Sequence, residues 1–265
     1  MVNAMDIVKV GRVFFEPDSG PDVKKVIVLT LDSHVENVVT LVKNFKRDFY
    51  PAFIQSEEST YKLLIRAAEK HDNAKPDTFR VTYRRYKDEE NARKSLGYSF
   101  AGHRFRVSDP DRYVELLIRM HHEFSVEGIV KAQAEFKTEK ELADAKSKNF
   151  PFDLYILEMC DQIEAELETY AFTNDVQPRV FMDFHSRRRE DGKIEVNPYP
   201  FDDEEIPLPL FYYEFDVCEE HRHQISKALK ENNRENGVDF LRKMIVNAHN
   251  QAERQQKGMI LCKAH

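Results

Sequence analysis

Cysteine and long apolar runs are both scarce in this chain of 265 residues. Its three cysteines stand far apart, and no CxxC pair is present. An odd number at wide spacing argues against a disulfide framework and favours a reducing cytoplasm. Apolar runs such as Val26–Leu31 are too short to span a bilayer. The N-terminus has no basic region followed by an apolar stretch and a cleavage site, so we expect a cytoplasmic protein without membrane attachment.

The balance of charge limits the partners that the whole surface can take. Asp and Glu number 47 against 40 Lys and Arg, which gives a formal net charge of −7. This charge disfavours nonspecific coating of nucleic acid but leaves room for a local basic groove. The chain is 41% hydrophobic and 33% charged without a low-complexity tract, which is typical of a globular protein. Its length allows one sizeable core or two small domains.

Hydrophobic periodicity predicts a helical centre between strand-like ends. β-branched runs with period two indicate strands, and apolar residues spaced three and four apart indicate helices. The predicted elements are strands over 7–15 and 23–30, helices over 35–45, 59–70, from about 110 to 120 and over 152–170, strands over 180–184, 194–196 and 208–215, and a last helix over 219–253, interrupted near 236–237. We therefore predict a mainly α fold: an extended segment (1–30) packed on a helical core (31–173), with a smaller C-terminal α+β appendage (174–265).

Four of the ten histidines stand where a helix is predicted to begin or end, and a fifth follows a glycine. The positions are His34 at the first helix, His71-Asp72 at the end of the second, His103 after Gly102, and His121-His122 at the end of the third. Asp161 adds a carboxylate within the apolar stripe of the fourth helix. A buried acid is costly unless something pairs with it.

These residue types in this arrangement predict a metal site. Imidazole nitrogen and carboxylate oxygen suit divalent transition metals. Adjacent His71 and Asp72 direct two ligands into one space, and the carboxylate can bridge two ions, which at roughly 3.5–4 Å apart hold both the attacking and the leaving oxygen of a phosphoester. Singly each residue is weak evidence: His34 is compatible with a structural role, the His121-His122 doublet with a polar helix end, and Asp161 with a satisfied core acid. The prediction of a metal site therefore rests on all of these residues together.

The series resembles the HD superfamily, and most closely the HD nuclease of type I CRISPR interference systems. The similarity spans roughly residues 31–173 and rests on the residues above together with Lys75, which completes an HDxxK motif. The resemblance implies an HD-superfamily helical core that cleaves single-stranded DNA in antiviral defence. It also implies the ligands: His34, His71, Asp72 and Asp161 for one ion, and Asp72, His103 and His121 or His122 for a second. Asp72 and Lys75 would be catalytic, with Lys75 near the scissile phosphate; a solvated lysine is the alternative.

The chain also lacks the phosphate-binding motif G-x-x-x-x-G-K-[ST] of the helicase that is often fused to this nuclease. The resemblance therefore implies a stand-alone nuclease subunit that works with a separate helicase and a CRISPR effector complex. Its cofactor would be one or two ions of Mn, Ni, Co or Fe, with Mg less favoured because nitrogen donors suit softer ions. Endonuclease and exonuclease action both stay open.

A basic segment with interleaved aromatic residues predicts contact with a nucleic-acid strand. Residues 80–106 contain eight Lys or Arg against three acids. Cations that track phosphates and aromatics that stack bases are typical of single-strand binding; the candidates are Tyr83, Arg84, Arg85, Tyr86 and Lys87. A solvated, salt-bridged loop is the alternative for this segment. For the whole chain, the alternatives are an HD phosphohydrolase of nucleotides or cyclic nucleotides, and an HD module that binds a partner without catalysis.

Overall fold

The computed structural model describes residues 9–16, 23–45, 58–85, 94–123, 125–137, 144–172, 186–188, 194–196, 206–230, 239–247 and 258–264. The strands are β1 (Val10–Glu16), β2 (Lys25–Thr30), β3 (Arg80–Arg85), β4 (Lys94–Ser99), β5 (Ser186–Arg188), β6 (Ile194–Val196), β7 (Ile206–Asp216) and β8 (Gly258–Ala264). The helices are α1 (Leu31–Asn44), α2 (Glu58–Lys70), α3 (Lys75–Thr78), α4 (Arg112–Met120), α5 (Val126–Lys137), α6 (Asp144–Phe172), α7 (Glu219–Lys230) and α8 (239–247), and a 3-10 turn covers His103–Phe105. In these residues, no helix is both long and apolar enough to cross a bilayer.

The largest sheet in the described residues has four strands in the order β1-β2-β7-β8. Val28 at the centre of β2 pairs with Val13 of β1 on one side and with Tyr213 of β7 on the other, both antiparallel. Gly11 lies at an irregularity of β1, where an added Cβ would stand 2.9 Å from the carbonyl oxygen of Thr30. Only glycine allows this close approach of the two backbones.

The prediction of a mainly α fold with an HD-superfamily helical core is wrong, because the described residues combine these helices with a four-stranded sheet and two two-stranded sheets. The fold is mixed α and β. The N-terminal strands were predicted and pair with each other, but the other neighbour of β2 is β7, which lies almost two hundred residues further along the chain. Periodicity reports the local conformation of a strand and carries no information about such distant pairing.

Several boundaries also differ from the prediction. The helix predicted to begin at residue 152 begins at Asp144 and contains Pro151, and the basic segment includes the hairpin of β3 and β4. Helix α5 and strand β8 were not predicted, whereas the strands at 194–196 and 208–215 are confirmed in β6 and β7. Within the predicted helix 219–253, the described residues are helical in α7 and α8. The strand predicted over 180–184 lies outside the described residues.

The chain divides into two compact units, each drawn from three segments. Unit 1 comprises residues 1–33, 75–103 and 210–260, and unit 2 comprises 34–74, 104–209 and 261–265. The consecutive domains predicted from sequence (1–30, 31–173 and 174–265) stay a prediction. Unit 1 has a core around the sheet residues Val26, Val28 and Tyr213.

The core of unit 2 is built mainly by helices, and all the predicted metal ligands except His103 belong to this unit. Buried residues of α1, α2, α4 and α6 supply it, among them Leu41, Leu64, Leu117 and Leu157. Helix α4 begins after Asp111, whose side chain accepts a hydrogen bond from the Tyr113 amide and so caps the helix. At the ends of α2 and α4 the buried apolar face is continued by buried polar residues, and the candidate site lies there.

Candidate metal centre

Four helices of unit 2 present the predicted ligands along the same faces that fill its core. His71 stands three and four residues after the buried Ala68 and Ala67, and His121 stands in the same relation to Ile118 and Leu117. Residues three and four apart share a helix face. The packing that orders these helices therefore buries five of the ligand residues: His34 on α1, His71 and Asp72 after α2, His121 after α4, and Asp161 on α6. His122, which follows His121, is exposed.

His34, His71, Asp72 and Asp161 converge on one point inside unit 2, and all four are buried. The Nε2 atom of His34 lies 3.0 Å from Asp72 Oδ2, 3.2 Å from Asp161 Oδ1 and 3.3 Å from His71 Nε2. His71 Nε2 in turn lies 3.3 Å from Asp72 Oδ2 and 3.6 Å from Asp161 Oδ1. Two nitrogens and two oxygens from four positions in the sequence thus share one small volume.

In His71 and His121, the hydrogen-bond partner of Nδ1 shows which ring nitrogen is left to face a metal ion. His71 Nδ1 lies 2.7 Å from the carbonyl oxygen of Ala68, and His121 Nδ1 lies 2.6 Å from that of Ile118. A carbonyl can only accept, so both Nδ1 atoms carry the proton. In the neutral ring Nε2 then presents a lone pair, which is the tautomer that a metal ligand needs.

The His121-His122 doublet lies beside this group. His121 is fully buried, and its Nε2 stands 3.9 Å from Asp72 Oδ1. His122 is 37% exposed at its side chain, and its Nδ1 stands 4.0 Å from Asp161 Oδ2. Each member of the doublet thus faces a different carboxylate of the group, and His122 marks the side that is open to solvent.

The ionisable side chains around His71 and Asp161 favour a bound cation. Burial disfavours an imidazolium at His71, but Asp72 and Asp161 outweigh it and raise the pKa of His71 to about 9. Burial opposes ionisation of Asp161 as well, yet hydrogen bonds from His34 and His71 hold the pKa of this carboxyl well below its usual range. Burial, reinforced by His122 and His71, lowers the pKa of His121 well below its ordinary value. The carboxylate of Asp161, which stays ionised although it is buried, thus attracts a cation.

The spacing of the donor atoms fits a divalent transition ion. With ligand bonds of about 2.0–2.2 Å, neighbouring ligand atoms around one ion stand roughly 3.0–3.5 Å apart. The separations of 3.0, 3.2 and 3.3 Å around His34 Nε2 fall in this range. A divalent charge would neutralise Asp72 and Asp161. The buried His and Asp side chains of this group could therefore hold a metal ion.

The remaining predicted residues fall outside this group. His103 belongs to unit 1, where it is buried and its Nδ1 donates to the carbonyl oxygen of Phe100 at 2.7 Å. Lys75, also in unit 1, begins α3 with its Nζ 5.2 Å from the centre of the Phe100 ring. The ligand set of a second ion and the catalytic role of Lys75 stay predictions.

Three of the five predicted nucleic-acid contacts lie in a described strand. Tyr83, Arg84 and Arg85 belong to strand β3, which lies in unit 1. Tyr86 and Lys87 lie outside the described residues. Contact with a strand at these five positions stays a prediction.

Two buried glutamates on α6 were not predicted as part of the site. Glu164 is fully buried and contacts His34, and Glu158 is buried three residues before Asp161. Burial, and then Glu123 and Asp161, raise the pKa of Glu158 to about 9, so this carboxyl is neutral near pH 7. The available signal was the spacing of 158, 161 and 164, which places all three on one helix face.

No family model, no curated protein and no solved structure matches the chain.

Proposed function

We propose that this protein is a metal-dependent phosphodiesterase whose substrate is single-stranded DNA. The observation that carries the proposal is the buried group of His34, His71, Asp72 and Asp161, with imidazole Nε2 atoms and carboxylate oxygens directed at one point. A divalent ion held there would supply Lewis-acid stabilisation of the charge that develops on a phosphodiester. Mixed nitrogen and oxygen donors favour Mn, Fe, Co or Ni over Mg.

Residues of unit 2 would also orient a ligand, exclude water and leave one side open to the substrate. The Ala68 carbonyl holds the His71 ring in one orientation through its Nδ1 proton. Burial of Asp72 and Asp161 excludes water, which strengthens every charge interaction inside the site. His122 is partly exposed beside Asp161, so the substrate would approach from this side.

An aromatic and basic surface in the same unit supports a polymeric substrate. Phe105 is 58% exposed, and the guanidinium carbons of Arg104 and Arg119 lie 4.8 and 6.0 Å from the centre of its ring. Arg119 stands in the last turn of α4, two residues before His121. An exposed ring with flanking arginines can stack a base and contact the adjoining phosphates, as single-strand binding proteins do. A free nucleotide would need no such flank.

The cellular setting is part of the proposal and rests on the motif order alone. The series from His34 to Asp161 supports action in type I CRISPR interference, in the cytoplasm. A separate helicase and a CRISPR effector complex are the partners in this proposal.

A direct assay tests the reaction and the substrate together. Labelled single-stranded DNA and a panel of nucleoside triphosphates and cyclic nucleotides are incubated with the protein and Mn²⁺. We expect cleavage of the oligonucleotide, loss of cleavage in excess chelator, and loss of cleavage in Asp72→Ala. The control Glu69→Ala removes an exposed acid of the same helix and should retain activity. Hydrolysis of a nucleotide with an intact oligonucleotide would reject DNA as the substrate, and turnover of neither would reject the reaction.

A further inference from the structure

The side of His34 that faces away from the candidate metal centre has a partner of its own. His34 Nδ1 lies 2.5 Å from Glu164 Oε2, and both side chains are buried. The Nδ1 proton therefore points at Glu164, and Nε2 points at Asp72 and Asp161. His71 and His121 donate to backbone carbonyls, whereas the partner of His34 is a side-chain carboxyl group.

A second residue of α1 holds Glu164 in place. The amide nitrogen of Asn37 lies 3.2 Å from Glu164 Oε1 and 3.0 Å from the carbonyl oxygen of Pro209. Asn37 follows His34 by three residues, so both side chains lie on one face of the helix. The result is a chain of hydrogen bonds inside unit 2: the Pro209 carbonyl and the Glu164 carboxylate accept from Asn37, and Glu164 also accepts from His34.

The distance between His34 and Glu164 decides between two roles for the glutamate. His34, Glu164 and Glu168 form a group whose donor atoms lie within 4.8 Å of one another, which by number would allow a second ion. An ion held by Nδ1 and a glutamate oxygen at about 2.0–2.2 Å from each would keep these two atoms roughly 3 Å apart or more. The observed 2.5 Å is a hydrogen-bond distance and is shorter than the separation expected for two ligands of one ion.

We propose that Glu164 is a positioning residue that fixes the tautomer and the ring orientation of His34 and thereby sets the metal affinity of the site, with Asn37 holding Glu164. A carboxylate that accepts the outer N–H of an imidazole strengthens the inner nitrogen as a donor. This proposal rests on the proposed function in one respect, since it requires that an ion binds at His34 Nε2. It does not require that the protein cleaves DNA.

The test measures affinity for Mn²⁺ and Co²⁺ by competition with a chromophoric chelator, so it needs no activity. We expect Glu164→Ala to weaken binding about 10–100-fold, the usual loss when an orienting partner is removed. Glu164→Gln retains a carbonyl oxygen for the Nδ1 proton and should recover part of that loss. Glu168→Gln changes a buried acid one turn further along α6 and should leave both affinity and stoichiometry unchanged. Loss of one bound ion in Glu168→Gln would make the two glutamates ligands and would overturn the proposal.

A double-mutant cycle separates orientation of His34 from general support of the fold. In a His34→Ala background there is no ring to orient, so Glu164→Gln should then change the affinity by less than about twofold, within the usual additivity of independent changes. An undiminished effect in that background would refute the positioning role. Should Glu164→Ala fail to fold, Asn37→Ala supplies a second route: it leaves the Glu164 side chain intact and should weaken binding in the same direction, by less.

The outcomes keep this proposal apart from the proposed function. Weaker ion binding in the Glu164 variants, together with an inactive wild type, would support the positioning role and reject the nuclease. An active wild type whose Glu164→Ala variant binds ions with unchanged affinity would do the opposite.

Discussion

Replacing Asp72 by Asn should remove most of the thermal stabilisation that a divalent ion gives to this protein. Asp72 is 1% exposed, and its Oδ2 lies 3.0 Å from His34 Nε2 and 3.3 Å from His71 Nε2. Asn preserves the shape of the side chain but removes its charge. The change therefore subtracts one of the two carboxylates that face the site without opening a cavity.

The expected magnitude follows from linkage. An ion present at one hundred times its dissociation constant stabilises the native state by about 2.7 kcal/mol, which corresponds to a rise in Tm of roughly 5–10 °C for a chain of this size. Loss of a partner that only orients a ligand costs about 10–100-fold in affinity, so loss of a direct ligand should reach at least the upper end. A 100-fold weaker site at the same ion concentration retains only about 0.4 kcal/mol of stabilisation, or roughly 1 °C.

The measurement is a thermal unfolding scan in chelator and in Mn²⁺ for the wild type, Asp72→Asn and Glu69→Gln. The difference between the two conditions is compared within each variant, because Asp72→Asn also alters the stability of the ion-free protein. Glu69→Gln removes an exposed acid three residues earlier and should shift like the wild type. If Asp72→Asn showed the full ion-induced rise, Asp72 would not be a ligand and the site would be wrongly assigned.

Three further predictions address the unliganded site, the core and the surface. In chelator, the raised pKa of His71 should contribute stability that is complete below pH 6.5 and lost as the pH rises towards about 9; chemical denaturation across this range that showed stability rising would contradict the reasoning. Tyr113→Phe removes a buried hydrogen bond of 2.7 Å to Asp153 and should cost about 1.5–3 kcal/mol with unchanged ion affinity, read from urea unfolding and chelator competition. Phe105→Ala should weaken single-stranded DNA binding by about 1–3 kcal/mol with little change in its salt dependence. Arg119→Gln should reduce the slope of log affinity against log salt by about 0.7. If anisotropy titrations showed neither effect, this surface would not contact the DNA strand.

The local sequence predicted several of the helices and the inward position of some of their polar residues. His71 and His121 continue the apolar stripes of α2 and α4, so the pattern that predicts a buried helix face also predicts that its last polar residue is buried. The same reasoning placed Asp161 on the inward face of α6. For these positions, short-range periodicity was sufficient because each side chain is oriented by its own helix.

Only the tertiary structure decided the features that depend on distant contacts. Strand β2 pairs with β7, and sequence periodicity cannot predict such a distant pairing. The sheet that contains this pairing is one reason why the fold is mixed α and β and not mainly α. The role of Glu164 depends on a contact with His34 across 130 residues. Its spacing from Asp161 placed it on the correct face, but a helix face holds both ligands and ordinary core residues. Whether a buried carboxylate faces an ion, an imidazole or another acid is set by the helix packed against it, and that information resides in the folded structure.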